Sequence, residues 1–438
     1  MAYSGAMPAG LILAAPRSGS GKTIVTLALL GALRRRDLAV AAAKSGPDYI
    51  DGAFLAAASG APCVNLDAWA MRSETIAGTL AAMSCEFALC EGAMGLFDGP
   101  GSTASLAALV GWPVVLVVDA TGMGASVAAL VAGFARYRSD TPVAGLILNR
   151  VGSPRHGALL AAALAAELPE LPLLGALPRV AELILPSRHL GLVQAGEQKD
   201  LPALVDRAAE LAERHVDVAR LVALARPSPL VSAAAGDAPL PPLGQRIAVA
   251  RDPAFAFAYP IVLEGWRTAG ASIAFFSPLA DEGPPPDVDA VFLPGGYPEL
   301  HAGRIASAQH FRAGLATAAA RGATIYGECG GYMVLGRGLI DAEGGRHAMA
   351  GLLPLETSFA QRALHLGYRR ATLAQAVPLG DKGARYRGHE FHYATIVTES
   401  TNAPLFELSD CDGAALAPAG AVAGTVMGSF VHLVDRAL

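Results

Sequence analysis

A chain of 438 residues is too long for one ordinary core and suits two domains. Its 53% hydrophobic and 16% charged residues exclude a disordered chain, and a net charge of −5 without a basic block interleaved with aromatics carries no nucleic-acid footprint. The partners expected are small molecules, with no nucleic acid and no membrane.

The first apolar stretch, Leu11–Ala15, is too short for an export signal and has no basic residues before it. Five cysteines, at positions 63, 85, 90, 329 and 411, are odd in number and lack metal-ligand spacing, so a reduced, cytoplasmic chain is expected. From Leu11 to about Leu192, apolar runs alternate with Ala-rich helical segments, the rhythm of βαβ units on a parallel sheet. The predicted strands are 10–15, 38–43, 87–91, 113–118, 144–148 and 172–175. Residues 109–135 look membrane-like by hydropathy, but Pro113, Asp119 and the glycines divide them into a strand and a helix. An amphipathic helix over 200–224 closes the first domain. The Pro-, Ala- and Gly-rich stretch 227–244 reads as a linker with the boundary near 235. Strands resume at 246–250, 272–276, 289–293 and 323–326, so the chain divides into α/β domains at 1–228 and 245–438 joined by 229–244.

The first strand runs into Pro16-Arg17-Ser18-Gly19-Ser20-Gly21-Lys22-Thr23, with an apolar helix from Ile24. Small residues let backbone N–H groups of Gly19, Ser20 and Gly21 turn toward phosphate oxygens, Lys22 adds charge, and the Thr23 hydroxyl suits Mg²⁺. The strict phosphate-loop pattern has Gly where Pro16 stands, so the match is to the relaxed loop of the dethiobiotin synthetase and partition-ATPase class. ATP and Mg²⁺ are the cofactors expected. Four carboxylates fall where such a sheet presents its active edge: Asp48 in KSGPDYID, Glu91, Asp98 in GLFDG, and Asp119. Glu91 or Asp119 would take the metal or its waters, with Asp48 and Asp98 reaching metal or substrate, although a loop Asp is also a common turn former. Asn149, in LILNRVG, is placed either to read the adenine edge or to cap a helix.

In the second domain, Gly327-Glu328-Cys329-Gly330-Gly331 has the spacing of a nucleophile elbow with cysteine at its centre. A helix N-terminus there is expected to favour the thiolate. Gly295 and Gly296, in LPGGY, offer backbone N–H groups for an oxyanion hole. The base expected is His432; His389 and His392, in RGHEFHY, are its rivals, or contacts to glutamine or the acceptor. The other four cysteines read as packing.

With both motifs placed, the chain resembles the cobyrinic acid a,c-diamide synthase family, including its hydrogenobyrinic acid branch, over essentially its whole length. The matching stretches are APRSGSGKT, KSGPDYID, CEGAMGLFDG, RHLGLVQAGE, FLPGGYPEL, YGECGGYM and RGHEFHY, in the family's order. The resemblance implies a P-loop, dethiobiotin-synthetase-like parallel-sheet domain followed by a class I, triad-type glutamine amidotransferase α/β domain. It implies a corrinoid, glutamine and ATP as substrates, with two acetate side chains amidated in cobalamin biosynthesis through an acyl phosphate. It also suggests a homodimer, by analogy with dethiobiotin synthetase; because free ammonium at neutral pH is largely protonated and non-nucleophilic, a shielded passage for ammonia is expected as well.

Triad-type amidotransferases often carry an acid two residues after the histidine, where this chain has Val434. Asp435 points elsewhere if 430–434 is a strand, leaving a dyad or an acid from another segment. The Ala-rich, Arg-over-Lys composition is typical of high-GC genomes, where the cobalt-late route is frequent, so hydrogenobyrinic acid is the acceptor expected, with cobalt-containing cobyrinic acid as the alternative. The reading from a different class is a partition-type ATPase with a non-catalytic C-terminal module, which the intact Cys329 elbow opposes.

Overall fold

The computed structural model describes residues 7–180, 183, 187–188, 191–198, 200–231, 237–399 and 403–437. The boundary expected near 235 and residues 189–190 of RHLGLVQAGE lie outside them. The chain forms two compact units, Met1–Trp69 with Ser73–Gly236, and Ala70–Arg72 with Asp237–Leu438.

The first unit runs β1 (Ala9–Ala14), α1 (Lys22–Arg34), β2 (Val40–Ser45), α2 (Asp51–Ser59), β3 (Val64–Leu66), α3 (Ser73–Ala82), β4 (Phe87–Glu91), α4 (Thr103–Val110), β5 (Val114–Asp119), α5 (Val127–Tyr137), β6 (Val143–Val151), α6 (Pro154–Glu167), β7 (Leu173–Pro178), β8 (Ser187–Arg188), β9 (Gly191–Leu192), α7 (Leu201–His215), α8 (Val218–Leu224) and β10 (Arg226–Pro227). Strands β1 to β7 are parallel in the order β3-β2-β4-β1-β5-β6-β7, and β10 adds antiparallel to the start of β1. Central strands are covered on both faces, which is why β1 and β5 are unbroken apolar runs rather than alternating ones. The chain leaves β1 toward β2 on one side and reaches β5 on the other, so the ends of β1, β4, β5 and β6 flank the crevice where such sheets bind ligands.

The expected strands are present, those at 87–91, 246–250 and 272–276 with the expected ends and the others with shifted ones. The helix expected over 200–224 is two helices, because Val216 turns extended (φ −127°, ψ 135°) to bridge Gly175 and Asp217 caps α8 through the Arg220 amide. Arg226–Pro227, at the start of the expected linker stretch, pairs with β1 instead. Residues 109–135 resolve into the end of α4, β5 and α5, and among the described residues no helix is long and apolar enough to cross a membrane.

The second unit runs β11 (Arg246–Ala250), α9 (Pro260–Thr268), β12 (Ser272–Phe276), β13 (Ala290–Leu293), α10 (Ala302–Ser307), α11 (Gln309–Ala320), β14 (Thr324–Glu328), α12 (Gly330–Leu335), β15 (Gly338–Ile340), β16 (Arg346–Ala348), β17 (Leu355–Ser358), β18 (His365–Leu373), β19 (Arg385–His392), β20 (Thr395–Glu399), β21 (Phe406–Ser409), β22 (Ala421–Ala423), β23 (Val426–Ser429) and β24 (His432–Arg436). Its main sheet, β12-β11-β13-β14-β23-β22, is parallel except for β22. Two four-stranded sheets follow, β16-β15-β17-β20 and β21-β18-β19-β24. The chain leaves the main sheet after Ser429 and enters the last one at His432, so β24 starts beside the end of β14.

Close packing of the first sheet has a direct test. A β-carbon on Gly10 would lie 2.4 Å from the ring of Trp112, which is fully buried. Gly10→Ala is expected to destabilise the unit by about 1–3 kcal/mol, seen as a lower midpoint in its thermal transition by circular dichroism. An unchanged midpoint would show that the indole shifts freely.

Candidate functional site

The phosphate loop turns on two left-handed glycines, Gly19 at φ +77° and Gly21 at φ +86°, a region costly for residues with a β-carbon. Gly21 has a second reason to lack one, since it would sit 2.3 Å from Asn149 Nδ2. That amide donates to the Ser20 carbonyl at 3.0 Å, so Asn149 braces the loop. Arg150, itself at φ +57°, donates to the Gly19 carbonyl (2.9 Å) and pairs with Asp119 (2.7 Å). A cavity of about 790 Å³ opens beside the loop, lined by Pro16, Gly21, Asp119, Asn149, Arg179 and Leu211 among others, a size that suits a nucleoside.

Lys22 is buried, and burial lowers its pKa; its Nζ donates to the Met94 carbonyl at 2.5 Å. The loop carrying Met94 lies against the phosphate loop through Leu96 N–H to the Ala15 carbonyl (2.8 Å). Asp98 closes that loop by accepting the Gly95 amide at 3.0 Å, and its charge reaches Lys22.

Thr23 Oγ1 donates to Glu91 Oε1 at 2.8 Å, while Glu91 Oε2 is buried without a hydrogen-bond partner. A hydroxyl and an orphaned carboxylate oxygen beside a phosphate loop are the hard donors that Mg²⁺ accepts, with phosphate and water completing its shell. Among the described residues no group of three or more His, Cys, Asp or Glu forms a metal cage. Asp48 joins Glu91 around one lysine: its Oδ1 accepts the amides of Ile50 (2.9 Å) and Asp51 (3.0 Å) at the start of α2, and its Oδ2 is 3.7 Å from Lys44 Nζ. Lys44 itself reaches Asp51 (2.8 Å) and Glu91 (3.2 Å). Sequence reasoning missed Lys44 and Asp51. The available signal was a lysine ending the otherwise apolar run VAAAKS, which must find carboxylates when buried.

In the second unit, Cys329 sits at φ +49°, ψ −106°, on the turn between β14 and α12. A β-carbon on Gly331 would come 1.8 Å from the Leu293 carbonyl oxygen, and one on Gly327 would be 2.7 Å from Leu335. One on Gly330 would lie 3.0 Å from the Gly296 nitrogen, so that nitrogen lies close against the elbow. One on Gly295 would meet His432 Cε1 at 2.4 Å, His432 Nε2 at 3.2 Å and Cys329 Cβ at 3.3 Å. Thiol and imidazole therefore converge on the space left by a missing side chain.

Burial dominates this site. It pushes the Cys329 thiol up and His432 well down, with the neighbouring His389 adding to the second effect. The thiolate expected from the helix N-terminus is thus opposed by desolvation, and the proton rests on sulfur. His389 stacks on His432 (centroids 4.9 Å, interplanar 5°) and meets Tyr259 Oη through Nε2 at 2.8 Å; burial takes it down to about 3. His392 stacks on Phe430 at 3.9 Å. Sequence reasoning also missed Glu328, whose Oε2 is 3.8 Å from His432 Nδ1.

The Lys44 cluster generates a prediction. Burial pushes Glu91 up to about 7 and Asp48 up to about 6. Burial opposes the Lys44 charge too, but Asp51, Glu91 and Asp48 more than offset that and hold it well above its ordinary value. A carboxyl raised by folding costs nothing below its unfolded pKa and more as pH rises through the folded one. Lys44→Ala removes the offsetting cation, so it is expected to destabilise by about 3–5 kcal/mol at pH 8 and clearly less at pH 5.5. Urea unfolding at both pH values measures this, and equal losses would contradict the charge assignment.

Comparison with known proteins matches this geometry at both ends. The family model of the CobQ/CobB/MinD/ParA nucleotide binding domain matches residues 11–193, and that of the CobB/CobQ-like glutamine amidotransferase domain matches residues 246–436. Over 433 residues the chain is 54% identical to a Brucella anthropi protein named hydrogenobyrinate a,c-diamide synthase, covering 97% of this chain and 98% of that one. Proteins of the same name from Rhizobium meliloti (54% over 436 residues, 97% and 99% covered) and Rhodobacter capsulatus (53% over 438 residues, 98% and 99%) are similarly close. With the phosphate loop and the cysteine elbow each inside a matched domain, the chain belongs to the hydrogenobyrinate a,c-diamide synthase family.

Proposed function

We propose that this chain converts the a- and c-acetate carboxylates of hydrogenobyrinic acid to amides, using ATP and glutamine, as a step of cobalamin biosynthesis. The observation that carries the reading is the pairing of a buried Cys329–His432 elbow with a complete phosphate loop in one chain whose near-full-length relatives bear that activity's name. The reduced cytoplasm suits its five free cysteines. A homodimer through the edge or helices of the N-terminal sheet is carried over from the sequence resemblance.

In the first unit, a substrate carboxylate oxygen attacks the γ-phosphorus of ATP, the bond to the β-phosphate oxygen breaks, and ADP leaves an acyl phosphate. Lys22 balances charge on the transferring group, and the backbone of Gly19 to Gly21 cradles the other phosphates. Thr23 and Glu91 would hold Mg²⁺, which when bound screens charge between phosphate oxygens. Adenosine is placed in the cavity beside Asn149 and Arg179.

In the second unit, His432 Nε2 takes the Cys329 proton as sulfur attacks the glutamine amide carbon. The oxyanion forms against the Gly295–Gly296 turn. The imidazolium returns the proton to nitrogen, ammonia leaves, and water hydrolyses the glutamyl thioester to glutamate. Ammonia then attacks the acyl phosphate carbonyl and phosphate departs.

Mass spectrometry of hydrogenobyrinic acid and cobyrinic acid, each incubated with ATP, Mg²⁺ and either glutamine or ammonium, checks this. Wild type is expected to add two amides to hydrogenobyrinic acid from either nitrogen source, and Cys329→Ala from ammonium only. Lys22→Ala is expected to lose amidation from both by about 100-fold or more. Reaction of cobyrinic acid alone would move the acceptor to the cobalt-containing corrinoid, and reaction of neither would overturn it.

A further inference from the structure

The glutaminase site contains a nucleophile and a base, and the place where an acid often follows the histidine holds buried, apolar Val434. The nearby Asp435 is engaged elsewhere. Its carboxylate receives Arg72 Nε (3.1 and 3.2 Å), the Arg72 amide (2.9 Å) and Arg72 Nη2 (3.0 Å).

Glu328 ends β14 immediately before Cys329 and is 3% exposed. Its Oε1 receives two donors, Tyr326 Oη at 2.8 Å and the Leu433 amide at 3.1 Å. The second belongs to the residue after the base, so the carboxyl group is tied to the backbone that carries His432. With both donors on Oε1, Oε2 is left facing His432 Nδ1 at 3.8 Å. That is longer than a hydrogen bond, as catalytic contacts often are before substrate binds.

We infer that Glu328 is the positioning acid of this site, holding His432 through Nδ1 so that Nε2 faces the Cys329 thiol. The inference rests on the glutaminase reading of Cys329 and His432. Glu328 Oε2 accepts the Nδ1 proton, which leaves the lone pair on Nε2 to take the proton from sulfur; the carboxylate then balances the imidazolium until that proton passes to the departing nitrogen. Glu328 keeps its negative charge throughout.

The donors on Oε1 make the amide variant informative. In Glu328→Gln they fix the amide oxygen on their side and turn the NH₂ toward Nδ1. Nδ1 must then accept, which puts the ring proton on Nε2, where it blocks proton transfer from Cys329. Burial also pushes Glu328 up to about 8, so glutamine hydrolysis should rise as pH passes through that value. The titratable groups around the pair are Tyr326 on β14, Cys329, His432 on β24, and His389, His392 and Tyr386 on β19; Glu299 and Glu390 act on the thiol.

The experiment measures glutamate release and ammonium-dependent amidation against pH in full-length wild type, Glu328→Gln, Tyr326→Phe and Cys329→Ala. Glu328→Gln is expected to lower kcat for glutamine hydrolysis by about 10³-fold or more, to leave KM within about threefold, and to lose the rise near pH 8. Its ammonium-dependent amidation should match wild type. Tyr326→Phe removes a hydrogen bond that lowers the Glu328 pKa, so it should move the rise to higher pH. Hydrolysis by Glu328→Gln within threefold of wild type, or an unmoved profile in Tyr326→Phe, would overturn the inference. Glutamate release by Cys329→Ala would instead overturn the glutaminase reading beneath it.

Discussion

Backbone meets backbone at the end of β13 and the start of α12, where the Gly331 α-carbon lies so near the Leu293 carbonyl that a β-carbon would come within 1.8 Å of its oxygen. Everything at the glutaminase site depends on that approach. It sets the helix against the sheet, forces Cys329 to positive φ at the turn, and brings the thiol to the gap beside Gly295 where the His432 ring enters. The first unit has the same dependence in a different form. Gly21 leaves room for the Asn149 amide, the amide holds the Ser20 carbonyl, and the loop keeps its shape before any phosphate arrives.

Both sites keep charge buried, with opposite results. In the first unit Lys44 is surrounded by Asp48, Asp51 and Glu91, and their attraction keeps the lysine charged despite desolvation. In the second, Cys329 and His432 are buried beside Glu328 and His389, and burial favours the neutral form of both. The thiol is therefore quiet at rest. In the proposed mechanism, attack and proton transfer then occur together, once glutamine's carbonyl is placed against the Gly295–Gly296 turn.

Much of this was legible in the sequence because both motifs are local. The run from Pro16 to Thr23 and the run from Gly327 to Gly331 each contain their turn, their helix start and their reactive group within one segment, so spacing alone placed them. The main strands were legible because parallel sheets demand continuous apolar runs. What sequence reasoning lacked were partners set by tertiary contact. Asn149 was placed at a strand end, but its grip on the Ser20 carbonyl spans 129 positions. Glu328 carries no signal of its own between glycine and cysteine, because only the return of β24 brings His432 beside it. The break at Val216 came from a bridge to Gly175, which no helical periodicity records.

The central claim is that one chain activates a carboxylate by phosphorylation and amidates it with nitrogen from its own glutaminase. The most direct test follows oxygen. Hydrogenobyrinic acid labelled with ¹⁸O in its carboxylates, incubated with enzyme, ATP, Mg²⁺ and glutamine, should transfer one label to inorganic phosphate for each amide formed, read as the isotope shift in ³¹P NMR. Amide formation with unlabelled phosphate would contradict an acyl phosphate and with it the role assigned to the phosphate-loop unit.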